Sequence, residues 1–413
     1  MDSPVNKDAR ILVISSGPPV DSGGGSRRTS QLLFELNSRF GERAVAFLGR
    51  SEIAPSHRSG VDWLIHKASR AVARVHDRLE NPFQLLANGY GFSRHPGKAE
   101  ANYRGILSRL PNIKICIIEH LEFAPFHQLH AELGIRTILA PWFVGSLTLQ
   151  APYFVPALRR VRSQQATSMD RVQVRAAYAH LANEILLAAA VERSWFPSRV
   201  EAGFFNASGL RAGYFPYYAA GEALDQLGRL RTRRSSTTID ENLFVITGSG
   251  IDHNRISVIE FLRQAELAGF PAKARIEIVG SDYSTEEKSL ARAMKQEILF
   301  RGRLPQAEFD DLLVHARAVL VPQTCGFGVS TRVIDMLTAG IPVIADAMVS
   351  NAAGAIRGAH YAADTARGWA EAIGAALAEP AVVPAESIEP WRREATALVA
   401  RELSRLEEPK DSH

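Results

Sequence analysis

The sequence predicts an α/β protein made of two doubly wound domains, in which helices cover both faces of mostly parallel sheets. Short apolar runs that end in glycine-containing loops alternate with helical patterns. This alternation occurs twice, on either side of a polar, arginine-rich segment at 221–242. The length of 413 residues agrees, because a chain of this size usually divides into more than one hydrophobic core. We therefore predict a first domain at 1–220, a linker at 221–242, a second domain at 243–380 and a C-terminal helix at 388–407.

The first strand is predicted at residues 10–15, whose apolar run is typical of a strand buried inside a parallel sheet. It is followed by Gly23, Gly24 and Gly25 and then by a helical pattern. This order places a glycine loop between a strand and a helix, where a phosphate or a sugar can bind. The same residues are compatible with a tight turn, and they do not form the G-x-G-x-x-G fingerprint of dinucleotide-binding proteins.

Further strands of the first half are predicted at 44–48, 113–118 and 136–140. The run at 113–118 is followed directly by Glu119 and His120. Side chains at the carboxyl end of a parallel strand border the crevice in which α/β sheets bind ligands, so His120 is a candidate site residue. A structural histidine is the alternative interpretation.

Composition and charge narrow the location and the partners of the protein. The sequence has no apolar run of the roughly 18–20 residues that cross a bilayer, its N-terminus lacks a signal-peptide pattern, and its two cysteines lie far apart. These features predict a cytoplasmic protein. The net charge of +4 suits a phosphorylated small molecule and is too weak to indicate nucleic acid. The basic amphipathic stretch at 63–78 is typical of a solvated charged surface, and peripheral contact with the inner face of the membrane is the alternative.

The second half repeats the strand–loop–helix pattern, with strands predicted at 243–247, 274–279, 297–300 and 318–322. The last strand leads into the stretch 325–346, in which a glycine turn precedes a helical pattern that contains Asp335. The N-terminus of a helix presents unbonded N–H groups and the positive end of its dipole, both of which suit a phosphate. A carboxylate one to two turns into that helix can accept hydrogen bonds from sugar hydroxyls. This stretch is therefore predicted to bind an anionic ligand that carries hydroxyl groups.

The motifs of the second half follow one another in an order that resembles a known family. Val279-Gly280 ends one strand, 300–304 follows the next, another strand ends in Pro322, and the segments 326–335 and 339–344 come after it. This order resembles the nucleotide-sugar-binding domain of retaining glycosyltransferases of group 1, or family 4. The resemblance implies the GT-B fold, in which two Rossmann-like domains face each other across a cleft. It places the acceptor on the first domain and the nucleotide sugar on the second, with the C-terminal helix packed back on the first domain.

The same resemblance implies an activity. Members of the family move a sugar from a nucleoside-diphosphate sugar to an acceptor hydroxyl, with retention of configuration, in the biosynthesis of glycans, polysaccharides or glycoconjugates. The donor is a substrate whose base the sequence does not specify, and neither a metal nor a permanently bound cofactor is implied. The acceptor is a glycan, a lipid-linked sugar or a small molecule.

The resemblance also implies the roles of particular residues. Asp335 takes the place of a family glutamate that holds the ribose hydroxyls, and Arg332 matches a frequent family lysine, three residues before that carboxylate, that neutralises the diphosphate. We predict Arg332 and His120 as catalytic residues. The predicted donor-binding residues are Gly23, Gly24, Gly25, Gly248, Ser249, Gly280, Arg301, Gly302, Leu304, Gly328, Val329, Ser330, Thr331 and Asp335.

Three features depart from the family pattern and leave alternatives open. Thr324-Cys325 stands where a sugar-contacting glutamate is usual, the segment 248–255 lacks the usual arginine/lysine pair, and Pro141-Trp142 stands near the place of a frequent histidine. One alternative is a non-catalytic GT-B partner protein, and another is a nucleotide-sugar epimerase. An NAD-dependent enzyme is disfavoured by the missing glycine fingerprint.

Overall fold

The structure is a computed structural model that describes most of the chain. The described residues are 7–15, 24–53, 96–142, 160–165, 167–248, 252–265, 270, 273–280, 283, 285–294, 296–323, 330–347, 349–350, 354–363 and 365–408. The stretch 63–78 and the predicted site residues Gly23, Ser249, Gly328 and Val329 lie outside these ranges. The predictions made for them stay predictions.

The first half forms a six-stranded parallel sheet with the order β2-β1-β3-β4-β5-β6. Every residue of β1 and β3 is buried, as expected of inner strands that are covered on both faces. The strands are β1 (Ile11–Ser15), β2 (Val45–Gly49), β3 (Ile115–Ile118), β4 (Arg136–Leu139), β5 (Arg193–Phe196) and β6 (Ala212–Tyr214).

Helices surround this first sheet. They are α1 (Gly24–Phe40), α2 (Arg50–Ile53), α3 (Pro96–Leu107), α4 (His127–Glu132), α5 (Ser168–Ala190) and α6 (Arg199–Ala207), with 3₁₀ turns at Glu42–Ala44 and Leu121–Phe126. Leu32 and Leu36, four residues apart on α1, share one core cluster with Ile11 and Val13 of β1. The helix after the first strand is therefore seated directly on that strand.

The segment predicted as a linker contains a packed helix, α7 (Gly221–Ser235), which is followed by the first strand of the second sheet. Leu227 and Leu230 lie in a core cluster of the second domain, so one face of α7 is apolar despite its arginine-rich composition. Arg234 is fully buried, and its two terminal nitrogens, Nη1 and Nη2, donate to backbone carbonyls. The acceptors are the carbonyl oxygens of Leu313 and Val314, both at 3.0 Å, and of Ala381 at 2.6 Å.

The second half forms another six-stranded parallel sheet, with the order β12-β11-β10-β7-β8-β9. Counted from β7, this is the order 3-2-1-4-5-6 of doubly wound nucleotide-binding folds. The strands are β7 (Asp240–Thr247), β8 (Arg275–Val279), β9 (Glu297–Gly302), β10 (Ala316–Val321), β11 (Val343–Asp346) and β12 (Ala359–Ala362). The helices are α8 (Asp252–Ala265), α9 (Thr285–Arg292), α10 (Gln306–His315), α11 (Thr331–Thr338) and α12 (Ala366–Ala378).

The last helix, α13 (Ala385–Ser404), links the two halves. Ile388 near its start belongs to a core cluster of the second domain, whereas Val399 and Leu403 belong to a cluster built on β1 and α1. Its buried carboxylate Glu402 accepts a hydrogen bond from Trp195 of β5. No helix in the described ranges is both long and apolar enough to cross a bilayer.

Two parallel sheets with helices on both faces confirm the predicted fold class. The predicted strands lie within a few residues of the observed ones. The strands β6 and β12 and the helices α3 and α12 were not predicted. The two strands have only three and four residues, and the alanines of α12 do not mark one face of the helix.

Candidate functional site

The topology of each sheet marks the crevice where a ligand can bind. In the first sheet the chain proceeds in opposite directions on either side of the gap between β1 and β3, and in the second sheet on either side of the gap between β7 and β10. Open α/β sheets bind ligands at such switch points, beyond the carboxyl ends of the strands. The candidate residues therefore follow these four strands.

The guanidinium of Arg332 occupies the crevice of the second domain. Arg332 lies in the first turn of α11 and donates a hydrogen bond to the carbonyl of Thr247, the last residue of β7. Gly248 has a φ of +150°, and a Cβ at this position would come within 3.0 Å of Arg332 Nη1. Glycine is therefore required here both for the backbone conformation and for space. Burial lowers the pKa of Arg332 and the nearby Tyr283 opposes this, but an arginine keeps its charge in proteins.

The start of α11 has the features of an anion site. Ser330 directly precedes the helix and Thr331 is its first residue. The Ser330 hydroxyl is buried and has no hydrogen-bond partner among the residues that the structure describes. The N–H groups of the first helical turn point in the same direction as the positive end of the dipole. A phosphate bound here would be stabilised by the Ser330 hydroxyl, by these N–H groups and by Arg332.

Tyr283 is a further residue at this crevice, and the sequence analysis missed it. It follows the carboxyl end of β8 by four residues. It lies close enough to Arg332 for each of the two residues to shift the pKa of the other. Its ring lies 5.2 Å from the ring of Phe300, and its buried hydroxyl has no partner among the described residues. An aromatic residue shortly after a strand-ending glycine was the available signal.

Asp335 links the two domains. Its side chain is only 3% exposed. Its Oδ1 atom accepts a hydrogen bond of 2.8 Å from the hydroxyl of Tyr217, and its Oδ2 atom forms an ion pair with Arg27 in the first turn of α1. Because α1 belongs to the first domain and α11 to the second, this ion pair joins the two domains at the carboxylate. The ribose-binding role of Asp335 stays a prediction.

The rest of α1 is fixed to the first domain by buried polar contacts. Arg28 donates to the carbonyls of Pro141 at 2.8 Å and Trp195 at 3.4 Å, and burial lowers its pKa to about 10. Thr29 donates to Glu119 at 2.5 Å. Arg27 therefore projects towards the second domain from a helix that is held firmly in place.

Glu119 and His120 follow β3 at the switch point of the first domain, as predicted from the sequence. Burial raises the pKa of Glu119 to about 7, against the opposing influence of Thr29, Arg28, Ser15 and Trp142. The ring of His120 meets that of Trp142 edge-on, with 4.3 Å between the ring centres. The catalytic role of His120 stays a prediction.

The pKa of Glu119 predicts a pH-dependent stability. Because the folded protein holds this proton up to about pH 7 and an ordinary glutamate releases it near 4.5, the free energy of unfolding falls as the pH rises between these values. The expected loss is about 3 kcal/mol. Urea unfolding at pH 5 and at pH 8 measures the difference in the free energy of unfolding. This difference should be smaller by that amount in Glu119→Gln than in the wild type, and unchanged in Glu132→Gln, at an exposed position. The prediction is wrong if Glu119→Gln shows the same decline as the wild type.

The remaining predicted donor residues lie around the ends of β8 and β9. The amide of Gly280 donates to the carbonyl of Gly302 at 2.9 Å, which joins the two strand ends. Arg301 forms an ion pair of 3.0 Å with Glu277, and Leu304 packs against a core cluster of the second domain. Contact of these residues with the base stays a prediction, as does contact of the α1 glycines Gly24 and Gly25 with the donor.

The positive charge at the second-domain crevice comes from residues that are distant in sequence. Arg255, which follows β7, forms an ion pair of 2.6 Å with the buried Glu287. Arg332 reaches the end of β7 from α11, and Arg27 reaches α11 from the first domain. Arg332 and Arg27 are therefore the candidates for holding a diphosphate, which an arginine/lysine pair after the first strand of this domain does in the family that the sequence resembles.

A cavity of about 250 Å³ lies at the opposite end of the first domain. Arg136 and Arg193 at the starts of β4 and β5 contribute to its wall, and the carboxyl-terminal ends of α4, α5 and α13 border it. Helix C-termini carry partial negative charge and disfavour phosphate. The donor is therefore expected at the switch points and not in this cavity.

No family model matches the chain, and no curated protein matches it. Solved structures do. A sucrose-phosphate synthase from Thermosynechococcus elongatus has a TM-score of 0.59 at 15% identity, over 96% of this chain and 98% of that chain. The Anabaena protein HepE in complex with UDP has a TM-score of 0.57 at 11% identity, over 96% and 99%. An α,α-trehalose 6-phosphate synthase from Burkholderia multivorans has a TM-score of 0.50 at 12% identity, over 98% and 100%. These likenesses and the two parallel sheets show the GT-B fold, as predicted.

Proposed function

We propose that this protein is a glycosyltransferase that moves a sugar from a nucleoside-diphosphate sugar to an acceptor hydroxyl. The observation that carries the proposal is a cluster at the switch point of the second sheet. There the guanidinium of Arg332 lies at the N-terminus of α11, beside the Ser330 hydroxyl, which has no partner among the described residues. Structures of HepE have been solved with UDP and with UDP and glucose, and their similarity to this chain supports nucleotide binding by this chain.

In the proposed reaction the diphosphate lies at the start of α11. The bond between the anomeric carbon of the sugar and the diphosphate oxygen breaks, and a bond from that carbon to the acceptor oxygen forms. The acceptor proton passes to the departing phosphate oxygen, and the configuration at the anomeric carbon is retained. Arg332 and the helix N-terminus stabilise the negative charge of the leaving diphosphate, without a metal, and each well-placed donor contributes a few kcal/mol to such a step.

The other residues have supporting roles in this proposal. Asp335 holds the ribose hydroxyls, and Gly248 keeps space for the guanidinium of Arg332. His120 faces the acceptor from the end of β3. The acceptor is a glycan, a lipid-linked sugar or a small molecule, and the protein acts in the cytoplasm, with the stretch 63–78 as the segment for peripheral membrane contact.

A panel of nucleoside-diphosphate sugars tests the proposal. The protein is incubated with UDP-, GDP- and ADP-sugars, with and without candidate acceptors, and release of the nucleoside diphosphate is measured. Release that increases with an acceptor supports transfer, and the configuration of the product tests retention. Interconversion of the donor sugar without release would indicate an epimerase. If no nucleotide sugar binds, the proposal fails and the non-catalytic GT-B protein becomes the better interpretation.

Arg332→Ala is expected to lower kcat more than it weakens donor binding. The negative charge on the leaving oxygen grows in the transition state, so an arginine beside it contributes most there, and the loss should be about 100-fold. Steady-state kinetics with the best donor and acceptor measure kcat, and calorimetry measures the affinity for the nucleoside diphosphate. Arg367→Ala, at an exposed position of the same domain, is the control. A variant with unchanged kcat would contradict the role given to Arg332.

A non-catalytic GT-B protein is the second candidate. The ion pair of Arg255 with Glu287 favours a non-catalytic protein. Arg255 is one of the two basic residues of the segment after β7, and this ion pair holds it in a contact within the domain. The two candidates differ in the panel assay, because only an enzyme releases a diphosphate faster when an acceptor is present.

A further inference from the structure

Arg27 is a side chain of the first domain that contacts the carboxylate of the candidate donor site. It lies in the first turn of α1, and its guanidinium forms an ion pair with Asp335 of α11. It was not among the residues predicted from the sequence. With 21% of its side chain exposed, Arg27 stands at the border between the buried carboxylate and solvent.

The position of Arg27 is fixed by its helix. The next residues, Arg28 and Thr29, are anchored to the first domain, and Gln31 donates to the carbonyl of Pro216 at 3.1 Å. On its other side, α1 packs against α7 and α11. The backbone at Arg27 is therefore held in place, while the long side chain can turn about its own bonds.

We infer that Arg27 is a donor-binding residue supplied by the first domain. When the ribose of the nucleotide binds to Asp335, the guanidinium of Arg27 leaves Asp335 and binds the diphosphate instead. This inference rests on the proposed function and adds to it a contact with the diphosphate. The geometry allows the exchange, because Asp335 follows the first helical residue, Thr331, by four positions, or about 6 Å along the axis of α11. A turn of the Arg27 side chain over this distance brings its guanidinium to the start of the helix.

Charge balance favours the exchange. The ribose hydroxyls are neutral, so they cannot replace the positive charge that Arg27 now places beside Asp335. The diphosphate supplies the negative charge that Arg27 then faces, and an arginine can hold two phosphate oxygens at once. Separating the ion pair without such a replacement would be costly, because Asp335 is buried.

The exchange also has a consequence for specificity. A nucleoside without phosphates can displace Arg27 from Asp335 but gives its guanidinium no anion. A nucleoside diphosphate does both, so Arg27 should discriminate between the two ligands. Because Arg27 belongs to one domain and α11 to the other, the same contact couples binding of the nucleotide to the arrangement of the domains.

Calorimetric titration with UDP, GDP and ADP, and with uridine, guanosine and adenosine, tests this inference on the full-length protein. The nucleotide that the wild type binds is then compared among variants. Arg27→Gln should weaken the affinity for the nucleoside diphosphate by about 10- to 100-fold, the range for loss of a charge-assisted hydrogen bond, and leave the affinity for the nucleoside unchanged or higher. Arg27→Lys, which keeps the charge but cannot hold two oxygens, should lose less.

Arg39→Gln is the matched control, since Arg39 lies in the last turn of the same helix and pairs with the exposed Glu407. Equal weakening of nucleoside and nucleoside-diphosphate binding in Arg27→Gln would overturn the inference, and so would a higher affinity for the nucleoside diphosphate. An unchanged affinity for both would overturn it too and leave the proposed function intact. If the wild type binds none of the three nucleoside diphosphates, the proposed function fails, and this inference fails with it. Circular dichroism and the Tm of each variant show whether it is folded, and Arg27→Lys provides the comparison if the glutamine variant is not.

Discussion

Asp335→Ala is expected to lower kcat/KM for the nucleotide-sugar donor by about 100-fold, since charge-assisted hydrogen bonds to ribose hydroxyls contribute ~3 kcal/mol together. The substitution also removes an acceptor of the Tyr217 hydroxyl and the carboxylate that pairs with Arg27. Two losses therefore combine at one residue, in the donor site and in the contact between the domains. Steady-state kinetics and calorimetry with the nucleoside diphosphate measure the first, and thermal unfolding measures the second.

Two further variants separate these effects. Asp335→Asn keeps an oxygen that can accept from Tyr217 but loses the negative charge, so its Tm should lie between those of the wild type and the alanine variant. Asp311→Ala removes a carboxylate on the surface of the same domain, where it pairs with Arg233, and should change neither activity nor Tm. Wild-type nucleotide affinity in Asp335→Ala would show that this carboxylate does not hold the ribose.

Glu402→Ala is expected to be the most destabilising of these substitutions, at about 3 kcal/mol. Glu402 lies on α13 with only 3% of its side chain exposed, and accepts hydrogen bonds of 3.1 Å from Arg193 and from the indole of Trp195. It also pairs with Arg405. Alanine would leave the buried indole N–H without an acceptor and would leave a cavity beside Gly213, where the carboxylate now takes the place of a Cβ. The ion pairs of Glu402 with Arg193 and Arg405 add little to this loss of stability, because both arginines remain partly in contact with water.

The effect should appear as a fall in Tm of roughly 6–12 °C for a domain of this size. Glu402→Gln keeps the volume and one acceptor and should lose less. Glu407→Ala, one turn further at an exposed position of the same segment, is the control and should leave the Tm unchanged. A wild-type Tm for Glu402→Ala would mean that α13 does not depend on this carboxylate for its contact with β5.

The strands and the ends of the strands could be predicted from the sequence. Inner parallel strands such as β1 and β10 are buried on both faces, so their apolar runs are nearly continuous and stand out against the polar loops. The position of a residue at a strand end or a helix start follows from the local pattern alone. For this reason Gly248 and His120 lie just after strands and Arg332 lies in the first turn of a helix, as their local patterns predicted, although their roles stay predictions.

Packed but arginine-rich elements could not be predicted in the same way. The segment 221–242 reads as polar, yet α7 buries Arg234 completely, because three backbone carbonyls at the ends of other elements accept its hydrogen bonds. An arginine's environment depends on such acceptors, and these come from residues about 80 and 147 positions away in the chain. Composition therefore indicated exposure where the folded chain provides burial.

The sequence by itself determined two doubly wound domains, the glycine after β7, and a helix start of the type that suits an anion, with a carboxylate in its second turn. Only the tertiary structure decided what that carboxylate contacts. Arg27 and Asp335 are 308 residues apart, and no local periodicity relates them. Strands and helices arise from patterns between neighbours in the chain, whereas an ion pair across two domains depends on how the finished domains meet. The candidate donor site can therefore be recognised in the sequence as a helix start, whereas the arginine of the first domain that contacts it can be recognised only in the fold.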